Sequence, residues 1–144
     1  MGSVAALPSK SANGLVQVAE DGQPWLRGFR CDVCGAVVGE PTLCCRACGV
    51  RTAPAAVRLA GQGKLYTWSV VHRSFPGVAV PFVSAIIDLD DGLTLKATLR
   101  DVASDGLHSG LPVKLVFDDA GGATDADGAP YIGFHFEPLA GELA

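Results

Sequence analysis

Nothing in the chain approaches the roughly 20 consecutive apolar residues that a membrane-spanning helix requires. Met1 to Leu7 lacks the charged stretch and apolar run of a secretion signal, so disulfides are not expected and the expected location is the cytoplasm. Met1-Gly2 opens as a myristoylation site does, but Ala6 stands where Ser or Thr belongs. The histidines are few. His72, His108 and His135 fall on separate elements with no nucleophile at motif spacing, which leaves no catalytic constellation. His135 alternates with core residues and is expected to face outward. A phosphate-cradling glycine loop is also missing, since Gly121-Gly122 runs into acids that repel phosphate. Asp118, Asp119, Asp125 and Asp127 do not match calcium-loop spacing and read as a solvated acidic loop. After Arg100 only Lys114 is basic, against Asp101, Asp105, the four acids just named, Glu137 and Glu142. The basic track that nucleic acid demands is therefore absent from the larger part of the chain.

What is present is turn-forming and apolar. Eighteen glycines and nine prolines call for many turns and short strands, and a 49% hydrophobic fraction with 18% charged residues marks an ordered globular chain. At 144 residues it has room for one ordinary domain, or a smaller one plus a metal module. The net charge of −4 is uneven, with five arginines between Arg27 and Arg58 facing only Asp32 and Glu40.

Five cysteines carry the strongest signal. Cys31-Asp32-Val33-Cys34-Gly35 and Cys45-Arg46-Ala47-Cys48-Gly49 are two Cys-x-x-Cys knuckles, each closed by a glycine that can take positive φ. Facing knuckles form a closed tetrahedral four-sulfur site with no open position for water or substrate, a structural zinc site rather than a Lewis acid. Cys31, Cys34, Cys45 and Cys48 are thus the expected ligands. Choosing Cys44 instead would break the spacing, so it is left over, either as a small buried or half-buried apolar side chain or as a reactive thiol. A rubredoxin-like iron carrier is the nearest rival. The short linker from Gly35 to Cys44, and flanks without a packed aromatic cluster, favour zinc.

The grammar along the chain is mainly β. Residues 1–24 form an N-terminal arm, free or ordered on a partner, with a short amphipathic piece at Leu15 to Ala19. Residues 25–54 form a rubredoxin-like zinc ribbon. There Pro24 to Arg30 is an extended lead, Trp25 and Phe29 pack against the metal module, and Gly39-Glu40-Pro41 turns a hairpin between Ala36-Val37-Val38 and Thr42-Leu43. Residues 55–144 carry five strands near Lys64 to His72, Phe82 to Leu89, Leu93 to Val102, Val113 to Asp118 and Tyr131 to Phe136. Leu93, Leu95, Ala97 and Leu99 alternate with Thr94, Lys96, Thr98 and Arg100, the pattern of a half-buried antiparallel strand. Asp90-Asp91-Gly92 makes a hairpin turn. The piece Ser104 to Gly110 falls where a five-stranded oligonucleotide/oligosaccharide-binding (OB) barrel places its helix or turn. Strands two and three offer Lys96 and Arg100 but only Phe82 as an aromatic, so the stacking platform of a single-strand nucleic-acid binder is largely missing. Phe75 to Phe82 is apolar and bracketed by prolines, either a contact loop or a loop folded over its own barrel.

These residues carry a resemblance. Leu26-Arg27-Gly28-Phe29-Arg30-Cys31, the two knuckles, Gly63-Lys64-Leu65-Tyr66-Thr67-Trp68-Ser69-Val70-Val71-His72, Pro81-Phe82-Val83, Asp88-Leu89-Asp90-Asp91-Gly92 and Gly110-Leu111-Pro112-Val113 are similar to zinc-ribbon plus OB-fold proteins. That family was long catalogued as a domain of unknown function, described as acyl-CoA-associated or nucleic-acid-binding. The resemblance implies a non-catalytic small subunit of a thiolase-like enzyme acting on CoA thioesters, such as a thiolase, a sterol-side-chain aldolase or a benzylsuccinyl-CoA-type thiolase. It also implies a hetero-oligomer with the catalytic subunit, which holds most of the CoA thioester. Onto this chain it carries only Cys31, Cys34, Cys45 and Cys48, as ligands of structural zinc. Arg46 replaces a proline frequent in the family, and the stretch from Ala120 to Pro130 is longer than the pattern.

Overall fold

A computed structural model describes residues 10–11 and 14–139; the readings placed on Met1 to Leu7 and on Glu142 lie outside them. Among the described residues the strands run in chain order as β1 (Lys10–Ser11), β2 (Val16–Val18), β3 (Pro24–Arg30), β4 (Val37–Val38), β5 (Ala55–Arg58), β6 (Gln62–Val71), β7 (Phe82–Leu89), β8 (Thr94–Leu99), β9 (Pro112–Asp118) and β10 (Tyr131–Pro138). Among the described residues, helix is limited to two single turns of 3₁₀, Ser104–Gly106 and Ala120–Gly122. The first falls where the barrel was expected to place its helix or turn.

The last five strands close a barrel. β6 pairs antiparallel with β7 and with β9, β7 with β8, and β9 with β10. A parallel pairing of Phe136 with Leu99 joins β10 to β8 and completes the ring. This is the five-stranded Greek-key closure of an OB fold, and it leaves no long open edge to aggregate. Alternation fills the interior. Leu65, Ile87, Leu95, Leu99, Val113 and Phe136 point inward and are buried, each worth about 1.5–3 kcal/mol relative to exposure. A bulge between Leu65 and Thr67 shifts the phase of β6, leaving Tyr66 in solvent while Trp68 packs on the core. Gly63 permits the crossing of β6 over β7, because a Cβ there would collide with the backbone of Asp88 and Leu89.

The ribbon is a second, smaller sheet built on β3, which pairs with β2, β4 and β5. The described part of the leading segment is ordered, with β1 parallel to the start of β10 and β2 antiparallel to β3. The piece at Leu15 to Ala19 is therefore strand. β5 lies beyond Pro54 in sequence but pairs with β3 of the ribbon through Ala55–Arg58. Val16, Leu26, Val37 and Leu59 share one buried cluster with the barrel residues.

Several local expectations are corrected. Val37–Val38 pairs with Phe29–Arg30 around the first knuckle, and Thr42-Leu43 is not a strand, so the expected hairpin at Gly39-Glu40-Pro41 does not form. Leu43 is 90% exposed and Cys44 is exposed too, because neither has a ladder or core to join. His135 is only 5% exposed, because Asp118 and Glu137 close over its ring. The loop before β7 does not fold over the barrel; Phe75 is 83% exposed, and Val78 and Val80 are exposed beside it.

Candidate functional site

The two knuckles repeat one backbone geometry. In the first, Gly35 N–H donates to Cys31 O (3.0 Å), Val33 N–H to Cys31 Sγ (3.4 Å) and Cys31 N–H to Ala36 O (2.9 Å). In the second, Gly49 N–H donates to Cys45 O (2.9 Å), Ala47 N–H to Cys45 Sγ (3.4 Å) and Cys45 N–H to Val50 O (2.9 Å). Both turns close through glycines in the left-handed region, Gly35 at φ 78° and Gly49 at φ 79°. A side chain there would be strained.

The turns aim Cys31, Cys34, Cys45 and Cys48 at one point. Their Sγ atoms all lie within 4.8 Å of one another, with Cys31 to Cys48 at 3.8 Å and Cys34 to Cys45 at 3.6 Å. A tetrahedron with metal–sulfur bonds of about 2.3 Å has edges of about 3.8 Å, so the spacing suits one tetrahedral ion. N–H groups of Cys48 and Ala47 lower the Cys45 thiol to about 6. At Cys48 the N–H of Val50 works downward, but burial and the neighbouring sulfurs prevail and push it up to about 11. Cys34 is raised as well, with Cys45 and burial outweighing the N–H of Ala36. Thiolates packed this closely repel unless a cation joins them, and metal binding to cysteine releases protons. Cys31 and Cys45 are buried, Cys34 and Cys48 exposed, so the site lies at the tip of the ribbon. Cys44 is exposed and is not part of the group.

Elsewhere the barrel is chemically quiet. His72 and His108 are exposed on separate segments, and neither meets a nucleophile. The exposed residues of β7 and β8 include Asp88, Thr94 and Lys96 but no aromatic, so a base-stacking surface is lacking there. Trp25 and Phe29 form no ligand cage. The Arg58 guanidinium stacks over the Trp25 ring at 4.8 Å and that of Arg27 over Phe29 at 5.1 Å. Most of the acidic loop is exposed, as a solvated loop would be, but its acids also make local contacts. Asp118 accepts from His135, Asp119 caps Gly121, and Asp125 accepts from Asp127 and Ala129 N–H groups. The cluster that sequence reasoning missed is His135 with its ring nitrogens 2.7 Å from Asp118 Oδ2 and 2.7 Å from Glu137 Oε2. Only the His135-Phe136-Glu137 spacing hinted at it, since residues two apart on a strand share a face.

The architecture has counterparts in known proteins. A family profile described as "ChsH2, C-terminal OB-fold domain" matches residues 56–118. "Benzoylsuccinyl-CoA thiolase subunit BbsA" of Thauera aromatica is 28% identical over 132 residues, 87% of this chain and 85% of that protein. Among solved structures, a chain of the "Ltp2-ChsH2(DUF35) aldolase" superposes with a TM-score of 0.60 at 29% identity, covering 79% of this chain and 84% of that one. The "DUF35 domain-containing scaffold protein" of Methanocaldococcus jannaschii is 34% identical over 117 residues, 79% of this chain and 82% of that protein. Similarity of that extent runs through ribbon and barrel together, and on it the chain belongs to the DUF35 family.

Proposed function

We propose that this chain is a non-catalytic accessory subunit of a thiolase-like enzyme that cleaves or forms carbon–carbon bonds in acyl-CoA thioesters. The observation that carries the reading is its likeness, along 87% of its length, to a protein named as a subunit of a CoA thiolase. The likeness to a chain of an aldolase assembly agrees with it. The quiet barrel supports the same view, as it offers no nucleophile with a paired base.

In this reading Cys31, Cys34, Cys45 and Cys48 hold structural zinc. The ion, when bound, supplies a cross-link between the knuckles and no reactive position, since four protein ligands close it. The Phe75–Val80 loop is the docking element. A side chain such as Phe75, held 83% exposed, gains more from a partner than from water, and buried aromatics anchor interfaces. The catalytic subunit keeps the reacting groups, while the barrel borders its CoA entrance.

The test is co-expression with a thiolase-like subunit from the same source. The pair should co-elute and turn over a CoA thioester, and the chain alone should not. Phe75→Asp, at a position that buries nothing in the isolated chain, should weaken the complex at least tenfold with the melting temperature unchanged. Turnover by the isolated chain, or a complex indifferent to Phe75→Asp and to a Val78→Asp companion, would reject the reading. Metal analysis of the colourless or red protein decides zinc against iron.

A further inference from the structure

β6 is ten residues long, but β9 covers only its start, pairing with Gln62, Gly63 and Lys64. Leu65 is still served on that side, donating to Leu111 O and accepting from Gly110 N–H, and Ser109 Oγ donates to Tyr66 O. Beyond the bulge the strand keeps β7 as a neighbour and has none on its other side. Register shows which groups are left bare. Leu89 N–H donates to Leu93 O, so the odd-numbered residues of β7 turn their backbone to β8 and the even-numbered ones to β6. Phe82, Ser84 and Ile86 therefore meet Val71, Ser69 and Thr67. Trp68 and Val70 turn their N–H and C=O outward, and among the described residues nothing bonds them there.

Such a row of groups is a template for one more strand. Its flanks are open, with Thr67 and Ser69 exposed and Val70 41% exposed. The edge runs on into the exposed loop that carries Phe75, Val78 and Val80. Charge selects what fits it. Residues 61–87 include Lys64 and Arg73, both exposed, and no aspartate or glutamate. A second copy suits the edge poorly. Antiparallel two-fold pairing centred on Ser69 would set Lys64 of each copy beside Arg73 of the other, and like charges opposed across strands destabilise. An extended segment with an acid near each end meets a cation at both.

We infer that residues 67–71 of β6 take an extended, acid-flanked segment of the thiolase-like subunit as an added strand. The identity of that partner rests on the proposed function; the backbone addition rests on the edge. Main-chain bonds to Trp68 and Val70 set the register of the incoming strand, and the apolar loop beyond gives it a surface to bury.

The test is made on the co-expressed pair. Val70→Pro deletes an outward N–H without touching the ladder to β7, at an edge position where the fixed φ of proline is tolerated. It should weaken the complex about tenfold or more, since it leaves a partner carbonyl unpaired, with little change in the melting temperature of the isolated chain. Val70→Thr keeps the N–H and should bind as the unaltered chain does. Arg73→Glu should weaken the complex several-fold and flatten its dependence on salt. Hydrogen–deuterium exchange supplies a readout that needs no variant: the Trp68 and Val70 amides should exchange freely in the isolated chain and become protected in the pair. Assembly indifferent to Val70→Pro, or amides that exchange equally in both states, rejects the edge and leaves the accessory role standing. A dimer of the isolated chain that Val70→Pro abolishes gives the edge to a second copy and overturns the inference. An unaltered chain that captures no thiolase-like subunit rejects the accessory role and the inference with it.

Discussion

His135 is served on both sides. An imidazole can donate to Asp118 and Glu137 together only with a proton on each ring nitrogen, so the geometry suits the imidazolium form or a protonated carboxyl. The ring locks β10 to β9, since Asp118 ends one strand and Glu137 belongs to the other. The hydrogen bond from His135 is the largest influence on the Glu137 carboxyl and holds it below its ordinary 4.5, with Lys114 adding a smaller pull. A depressed carboxylate stabilises the fold above its ordinary pKa and loses that contribution as pH falls through the lower folded value. Glu137→Gln should therefore lower the melting temperature at pH 7, and the gap from the unaltered protein should close as pH falls below the ordinary 4.5 and through the lower folded value. A gap that widens in acid would contradict the assignment. The sequence signalled Phe136 as core but not His135, because alternation registers polarity and is blind to an acid seventeen positions back. The four cysteines were legible because their spacing is local, and Cys44 was misplaced because burial is not.

At the scale of elements, the barrel strands were legible, as was β3, read as the extended Pro24 to Arg30, whereas the pairings of the shorter ribbon strands were not. β7 to β10 each run six to eight residues, long enough for period-two alternation to declare a face. β4 is two residues long, so nothing periodic could show that it pairs across the first knuckle. Gly39-Glu40-Pro41 had turn composition, but only β4 flanks it and Thr42-Leu43 forms no second strand. The bulge at Tyr66 is likewise invisible to a strict alternation, which would have kept β6 in one phase. Gly63 marks the other device in that strand, the place where β6 passes close over the backbone of β7. Gly63→Ala puts a methyl group against the Asp88 carbonyl, which cannot swing aside as a side chain could. Overpacking of this kind costs about 1–3 kcal/mol. Urea unfolding should show that loss, whereas Gly22→Ala, in open space, should show only the milder strain of its positive φ. Equal losses at the two sites would mean that backbone conformation, and not the crossing, sets the cost.

For the whole molecule, ribbon and barrel behave as one cooperative body if their shared core decides. Val16, Leu26, Val37 and Leu59 of the ribbon side touch the same cluster as Ile87, Leu89 and Leu93. A four-stranded ribbon of such short strands buries too little to persist alone, so the barrel and the four-sulfur site must hold it from opposite ends. The chain contains two tryptophans, one on each side: Trp25 on β3 and Trp68 on β6. Trp25→Phe and Trp68→Phe each leave a single reporter, and the two proteins should unfold in urea with coincident midpoints after correction for their own stability. Leu26→Ala, which empties a fully buried site between the modules, should move both reporters together by about 2–5 kcal/mol. Chelation of the metal proposed at the cysteines should shift the Trp68 signal as well as that of Trp25, because losing the ribbon strips cover from the barrel core. A Trp25 transition that clearly precedes an unmoved Trp68 transition would show two independent units joined by a linker. Partner docking through the barrel would then owe nothing to the metal.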